Sequence, residues 1–269
     1  MILKSATSRN IFSVAACGVI ATVAASAILF DSAYTTVRQS SLDQMRQIAS
    51  TTAAGSEKTL GAAIAVVNSL ETVLATMKEA GDANRATADA ILKNMLVSNP
   101  TALGVWTGWE PNAFDGKDKD FVGKEGHDAT GRYIPYWVRS GGQITHVPLA
   151  DYTVSGAGDY YQLPFAQQRT VVIEPYSYAI DGKQVLMTSI AQPIMIGGKP
   201  VGVAGLDMAL DDAQKAISAI HPMGTGFMSL VTSGGGMISH PDAALIGKNI
   251  KDGDRKSTRL NSSHVSISY

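Results

Sequence analysis

Residues 11–30 (IFSVAACGVIATVAASAILF) carry no charged side chain. As a helix such a run rises about 30 Å, the hydrocarbon thickness of a bilayer. Asp31 ends it, and Lys4 and Arg9 precede it. The positive-inside rule then keeps the N-terminus in the cytoplasm and exports everything after Asp31. A cleaved signal peptide is the competing reading, because Ala25-Ser26-Ala27 has the small-x-small form of a cleavage site. The run is longer than the ~7–15-residue apolar core of a signal peptide, and Ile28 to Phe30 continue it past that motif. Residues 11–30 are therefore expected to be a transmembrane helix in the inner (plasma) membrane, with the remainder periplasmic or extracellular. The single cysteine, Cys17, lies within this run, so no intrachain disulfide or Cys-rich zinc module can form.

The chain is neither disordered nor basic. Of 269 residues 45% are hydrophobic and 17% charged, with a formal net charge of −1, which excludes nucleic-acid binding through a basic patch. From Asp31 to Ala80 there is no proline and only two glycines, Gly55 and Gly61. Leu60, Ile64, Val67, Leu70, Leu74 and Met77 recur at helical spacing. Gly81 fits a C-cap, and a second helix over about Asn84 to Val97 ends before Pro100. Residues 31–98 thus read as stalk helices. Their apolar stripe can pair with a second copy, giving a homodimer, or pack on the chain's own domain.

After Pro100 the period changes. Leu103 to Trp109, Tyr133 to Arg139, Gln143 to Val147, Val171 to Ile180, Gln184 to Ile194 and Val201 to Met208 read as strands. Ser140-Gly141-Gly142, Asp181-Gly182 and Gly197-Gly198-Lys199 supply turns between them. Pro135 and Pro193 place two of these strands at sheet edges. With helices near Tyr160 to Gln168 and Asp211 to Ile220, residues 99–220 form an α+β module with an antiparallel sheet. A second unit starts at His221 with a hairpin around Gly234-Gly235-Gly236, too short to close a core, so 221–254 reads as a truncated module. Residues 255–269 (RKSTRLNSSHVSISY) hold five serines and no turn or cap logic, and resemble a translated sequencing-adapter tail.

No catalytic pattern emerges. The five histidines are scattered without metal-ligand spacing, and neither GxSxG nor GxxxxGK[ST] occurs. Asp115 to Asp120 lacks the glycine and glutamate of a calcium loop and reads as a solvated turn. No cofactor and no metal are expected. What stands out is a concentration of aromatics: all three tryptophans and seven of nine tyrosines fall between Trp106 and Tyr178. Their π-faces attract ammonium groups, and a carboxylate such as Asp159 or Asp207 would neutralise the charge. Asp207 interrupts an apolar strand (Val201 to Met208) and needs a partner; capping the helix near Asp211 is its structural alternative. The candidate ligand-binding residues are Trp137, Tyr152, Asp159, Tyr160, Tyr161, Tyr176 and Asp207.

Taken in order, several segments carry a resemblance. They are Gly158-Asp159-Tyr160-Tyr161-Gln162-Leu163-Pro164, Glu174-Pro175-Tyr176, Met187-Thr188-Ser189-Ile190, Gly198-Lys199 and Gly202-Val203-Ala204-Gly205-Leu206-Asp207. Together they resemble the double-CACHE extracellular sensor of bacterial methyl-accepting chemotaxis receptors. Ser239-His240-Pro241-Asp242 and Ile246-Gly247-Lys248-Asn249 resemble the opening of its membrane-proximal module. The resemblance implies PAS-like modules on a stalk helix and a small ligand in the membrane-distal one. In the amino-acid-sensing branch an Arg-x-Trp-Tyr motif holds the ligand carboxylate and a later aspartate its ammonium. Here Tyr161, Tyr176 and Asp207 match, while Gly158 and Tyr160 replace the arginine and tryptophan, and Tyr178 replaces a second aspartate. Losing the guanidinium removes the bidentate carboxylate clamp, which favours a cationic amine. The expected function is small-ligand sensing for a transmembrane chemoreceptor, the ligand an amine or amino-acid-like molecule, without enzymatic activity. The alternatives are the same sensor on a histidine kinase or diguanylate cyclase, or an exported enzyme.

Overall fold

The computed structural model describes residues 6–250. The chain divides into two units at Thr51, and helix α1 (Ala6–Glu79) contributes to both. In the first unit an 18-residue window of α1 has a mean hydropathy of 2.2, and the helix is long and apolar enough to cross a membrane. Every side chain from Asn10 to Ser40 is exposed, Ile11 by 66% and Phe30 by 75%. An apolar helix with no protein cover is suited to lipid as its solvent.

In the second unit α1 ends where the sequence puts its cap. Gly81 takes φ +74, the left-handed conformation, and Asp82 N–H bonds Met77 O at 3.0 Å. Asn84 caps α2 (Arg85–Ser98) by accepting Thr87 N–H at 3.0 Å. Then follow β1 (Gly104–Trp109), the short α3 (Asp118–Phe121), β2 (Pro135–Ser140), β3 (Gln143–Pro148), α4 (Asp159–Gln167), β4 (Val171–Val172), β5 (Tyr176–Ile180), β6 (Lys183–Ile196), β7 (Lys199–Ala209) and α5 (Asp211–Ser218). Strands β1 to β7 form one antiparallel sheet, ordered β3-β2-β1-β7-β6-β4, with β5 also on β6. Beyond it a two-stranded sheet joins β8 (Leu230–Val231) and β9 (Met237–Ser239).

The sheet has two differently covered faces. Val105, Trp109, Ile190, Ile194, Ala204 and Leu206 meet helices α1 and α2 through Val67, Leu70, Leu74, Leu92 and Leu96. Each such side chain, fully buried, contributes about 1.5–3 kcal/mol. Val67 and Leu74 are completely covered by this packing, so this part of the stalk stripe serves the chain's own core and does not offer a free pairing seam. The other face carries Trp106, Tyr136, Met187, Ala191 and Val203 under α4 and its flanking loops.

Three local expectations change. Val171 to Ile180 is two strands, because Glu174-Pro175 interrupts the pairing with β6. Pro135 and Pro193 lie in internal strands, but only where one side lacks a neighbour: β1 pairs β2 from Tyr136 onward, and β4 covers only Ile190 and Ala191 of β6. In the acidic run at Asp115, Gly116, Lys117, Lys119 and Asp120 are exposed as expected of a solvated turn, but the Asp115 and Asp118 side chains are not. Arg85 reaches them from α2, donating to Asp115 (Nε–Oδ2 2.9 Å) and Asp118 (2.7 Å), with all three side chains at most 6% exposed. The tail 255–269 lies outside the described residues, as do residues 251–254 of the expected second module.

Candidate ligand-binding site

Alternation along the strands brings one set of aromatics together. In the β1–β7 pair Gly104 faces Asp207 and Trp106 faces Gly205; in the β6–β7 pair Ser189 faces Asp207. All point to the α4 face. A methyl group at Gly205 would lie 2.1 Å from the Trp106 indole, and one at Gly104 2.3 Å from the Tyr136 ring. These two glycines therefore let large rings lie flat against the sheet.

Asp207 sits at the floor, 3% exposed. Its Oδ1 accepts hydrogen bonds from Trp106 Nε1 (2.9 Å) and Ser189 Oγ (2.6 Å). The Ser189 hydroxyl also meets Tyr176 at 2.7 Å. Asp207 makes no ion pair among the described residues, and burial pushes its carboxyl above the ordinary aspartate value. Around it stand Trp106, Tyr136, Tyr160, Tyr176 and Tyr178. Trp106 meets Tyr160 edge-on at 5.2 Å, Tyr136 meets Tyr178 edge-on at 5.8 Å, and Tyr160 stacks on Tyr176 at 6.3 Å.

The hydroxyls of this cage are unequally engaged. Tyr160 donates to Ala150 O, and Tyr178 accepts Ala150 N–H at 2.8 Å, so both hold the β3–α4 loop. Burial pushes the Tyr178 hydroxyl up to about 12, and those of Tyr160 and Tyr176 higher still. All three stay neutral. The buried Tyr136 hydroxyl faces the Asp207 carboxylate: burial and that carboxylate raise the Tyr136 pKa, and the hydroxyl in turn lowers the Asp207 value.

The structure brings Tyr160, Tyr176 and Asp207 together and puts the other four candidates elsewhere. Trp137, next to Tyr136 on β2, faces the helix layer and stacks on His146 at 4.6 Å. Asp159 begins α4 and accepts Gly156 N–H at 3.0 Å. Tyr161 and Tyr152 surround Arg132: Tyr161 donates to Glu110, Tyr152 donates to Asp128 at 2.8 Å, and the guanidinium lies 4.8 Å from the Tyr152 ring. Trp106, Tyr136, Tyr178 and Ser189 are cage residues that sequence reasoning did not select. The parity of Trp106 and Tyr136 with Asp207 across the sheet is the signal that finds them.

A wider cavity of about 910 Å³ opens elsewhere, lined by Leu60, Thr170, Pro175, Ile217 and Leu230 among others.

Comparison with known proteins agrees with this architecture. Residues 88–215 match the family described as methyl-accepting chemotaxis protein-like, first PDC sensor domain. The extracellular domain mmHK1S-Z3 of a proposed histidine kinase superposes with TM-score 0.72 at 34% identity, covering 80% of this chain and 77% of that one. The chain belongs to this family of PDC (double-CACHE) sensors. Methyl-accepting Chemotaxis protein X gives TM-score 0.66 at 30% identity over 80% of this chain and 78% of that one. The curated receptor TlpQ of Pseudomonas aeruginosa is 32% identical over 179 residues, 61% of this chain and 25% of TlpQ. This PDC sensor chain thus spans about a quarter of the length of that receptor. The matched residues 88–215 contain the sheet through β7, α4 and the whole cage.

Proposed function

We propose that this chain senses a small amine for a transmembrane chemoreceptor. One observation carries the ligand class: Asp207 is a buried carboxylate with no cation beside it, enclosed by five aromatic rings. A ligand ammonium supplies the missing charge, its N–H groups reaching the carboxylate and the Tyr136 oxygen beside it while the rings present their π-faces. The absence of a carboxylate clamp supports an amine over an amino acid. A Cβ at Gly158 would lie 2.4 Å from Asp151 O and 2.8 Å from Tyr152 O, so backbone fills the space from which an arginine would project.

In this reading residues 11–30 anchor the chain in the inner membrane and 31–98 form the stalk. Residues 99–220 are the membrane-distal ligand module, and 221 onward begins the membrane-proximal one, both outside the cytoplasm. The module releases its ligand unchanged. Two copies pair through the stalk, on the helix face that the sheet leaves uncovered; sedimentation showing only monomer at high concentration would reject this pairing. The chemoreceptor output is supported by TlpQ and by PscA of Pseudomonas syringae pv. tomato, 35% identical over 123 residues. A histidine kinase output is the second reading, favoured by mmHK1S-Z3.

A thermal-shift series with amines, amino acids and organic acids tests the ligand class. Binding at 100 times Kd stabilises by about 2.7 kcal/mol, so amines should raise the melting temperature. Stabilisation by organic acids alone would reject the reading.

A further inference from the structure

His127 and His146, nineteen positions apart, are close enough to act electrostatically on one another and on Asp89 of helix α2. His146, on β3, stacks on Trp137 with the two rings 5° from parallel. Its Nε2 lies 3.9 Å from Asp89 Oδ1, too far for a hydrogen bond, and Asp89 already accepts the Tyr133 hydroxyl at 3.0 Å. Gly126 covers the imidazole so closely that a Cβ there would lie 2.3 Å from Cε1. His127 follows, stacked on Phe121 at 4.8 Å with its Nδ1 on Glu125 O at 2.9 Å. The Nε2 atoms of both histidines are buried without a hydrogen-bond partner. Two unpartnered imidazole nitrogens beside one half-buried carboxylate form an arrangement that a proton can rearrange.

We propose that Asp89, His127 and His146 form a proton-responsive latch between helix α2 and the loop joining β1 to β2. Uptake of a solvent proton turns His146 into an imidazolium, which needs an acceptor, and Asp89 is the nearest carboxylate. Closing the 3.9 Å gap moves β3 against α2 and pulls the imidazole from beneath Gly126. The same loop carries Asp128, which holds Tyr152, and Arg132, which holds Tyr161. Acidification therefore reaches the ring wall beside α4 without any ligand.

The charges facing His146 are Asp89 from α2, and His127 and Glu125 from the loop; Lys93 of α2 lies 5.2 Å from the Trp137 ring on which His146 stacks. Burial lowers the His146 pKa, Asp89 opposes this, and His127 reinforces it. Burial raises Asp89, while His146 and Tyr133 lower it. Because the folded-state histidine value lies below the unfolded one, this group's contribution to stability is present above the ordinary value of 6.5 and falls as pH drops below it.

Tryptophan emission of the full chain, titrated from about pH 7.5 to about pH 5, tests the latch without any ligand, because an imidazolium stacked on Trp137 quenches the indole. In wild type the emission should fall with a midpoint below 6.5, and the amide signal of Gly126 in ¹⁵N-glycine-labelled protein should move with the same midpoint. His146→Gln should abolish both changes. His127→Gln should keep them and raise the midpoint, since it removes a like charge. Should His146→Gln fail to fold, Asp89→Asn must lower the midpoint. Constant wild-type emission, a static Gly126, or a midpoint that none of these variants moves would overturn the proposal. None of these outcomes depends on the amine reading.

Discussion

Asp118 and Asp207 are both at most 5% exposed, yet their surroundings are opposite. Asp118 has Arg85 at 2.7 Å, and the same guanidinium grips Asp115, donates to Gly131 O at 2.8 Å and lies 4.0 Å from the Phe121 ring. Its charge is answered inside the chain, so the centre ties α2 to the loop before β2. Asp207 has hydroxyl and indole donors but no cation among the described residues. A buried charge with its counter-ion is architecture, whereas one without it is a place for a ligand to finish the electrostatics.

Removing the counter-ion should expose the contrast most strongly. Arg85→Met leaves Asp115 and Asp118 buried and unpaired and should cost about 3–5 kcal/mol, read from urea unfolding. A loss under about 1 kcal/mol would mean that the Arg85 centre is not a closed ion cluster. Gly205→Ala presses on the Trp106 indole and should cost about 1–3 kcal/mol while displacing the donor that holds Asp207. Amine affinity should fall with it; unchanged affinity would separate Trp106 from the site. Tyr136→Phe removes a hydroxyl that faces the Asp207 carboxylate. It should cost the ligand-free protein no more than about 1.5 kcal/mol and weaken amine binding by about 0.5–1.5 kcal/mol in calorimetry. A large stability loss without an affinity change would give that hydroxyl a structural role.

How much of this was legible in the sequence follows from what each element depends on. The membrane run, the Gly81 cap, the Asn84 cap and the strands around Trp106 and Asp207 depend on neighbours a few residues away. Asp207 itself stood out because a carboxylate in an apolar strand must be answered. Which aromatics answer it depends on register between distant strands. Tyr136 and Trp137 are equally aromatic, and only pairing with β1 shows that they face opposite ways. The acidic run at Asp115 looked solvated because its partner lies on α2, thirty residues earlier. His127 and His146 looked scattered for the same reason: only the folded loop lays Gly126, the neighbour of His127, over the His146 ring.

The most direct test of the account is calorimetry of the best-binding amine with wild type and Asp207→Asn at several pH values. Asparagine keeps an oxygen for Trp106 and Ser189 but removes the charge. Amine affinity should drop more than tenfold, about 1.4 kcal/mol or more. In wild type it should weaken as pH falls through the raised Asp207 value, because the ligand needs the ionised carboxylate. The folded-state pKa lies above the unfolded one, so ionisation costs the ligand-free protein stability as pH rises. Asp207→Asn should therefore raise the ligand-free melting temperature near neutrality, by about 2–4 °C per kcal/mol recovered. Equal amine affinity in the two proteins, with no pH dependence in either, would contradict the claim that Asp207 is the unanswered charge the ligand completes.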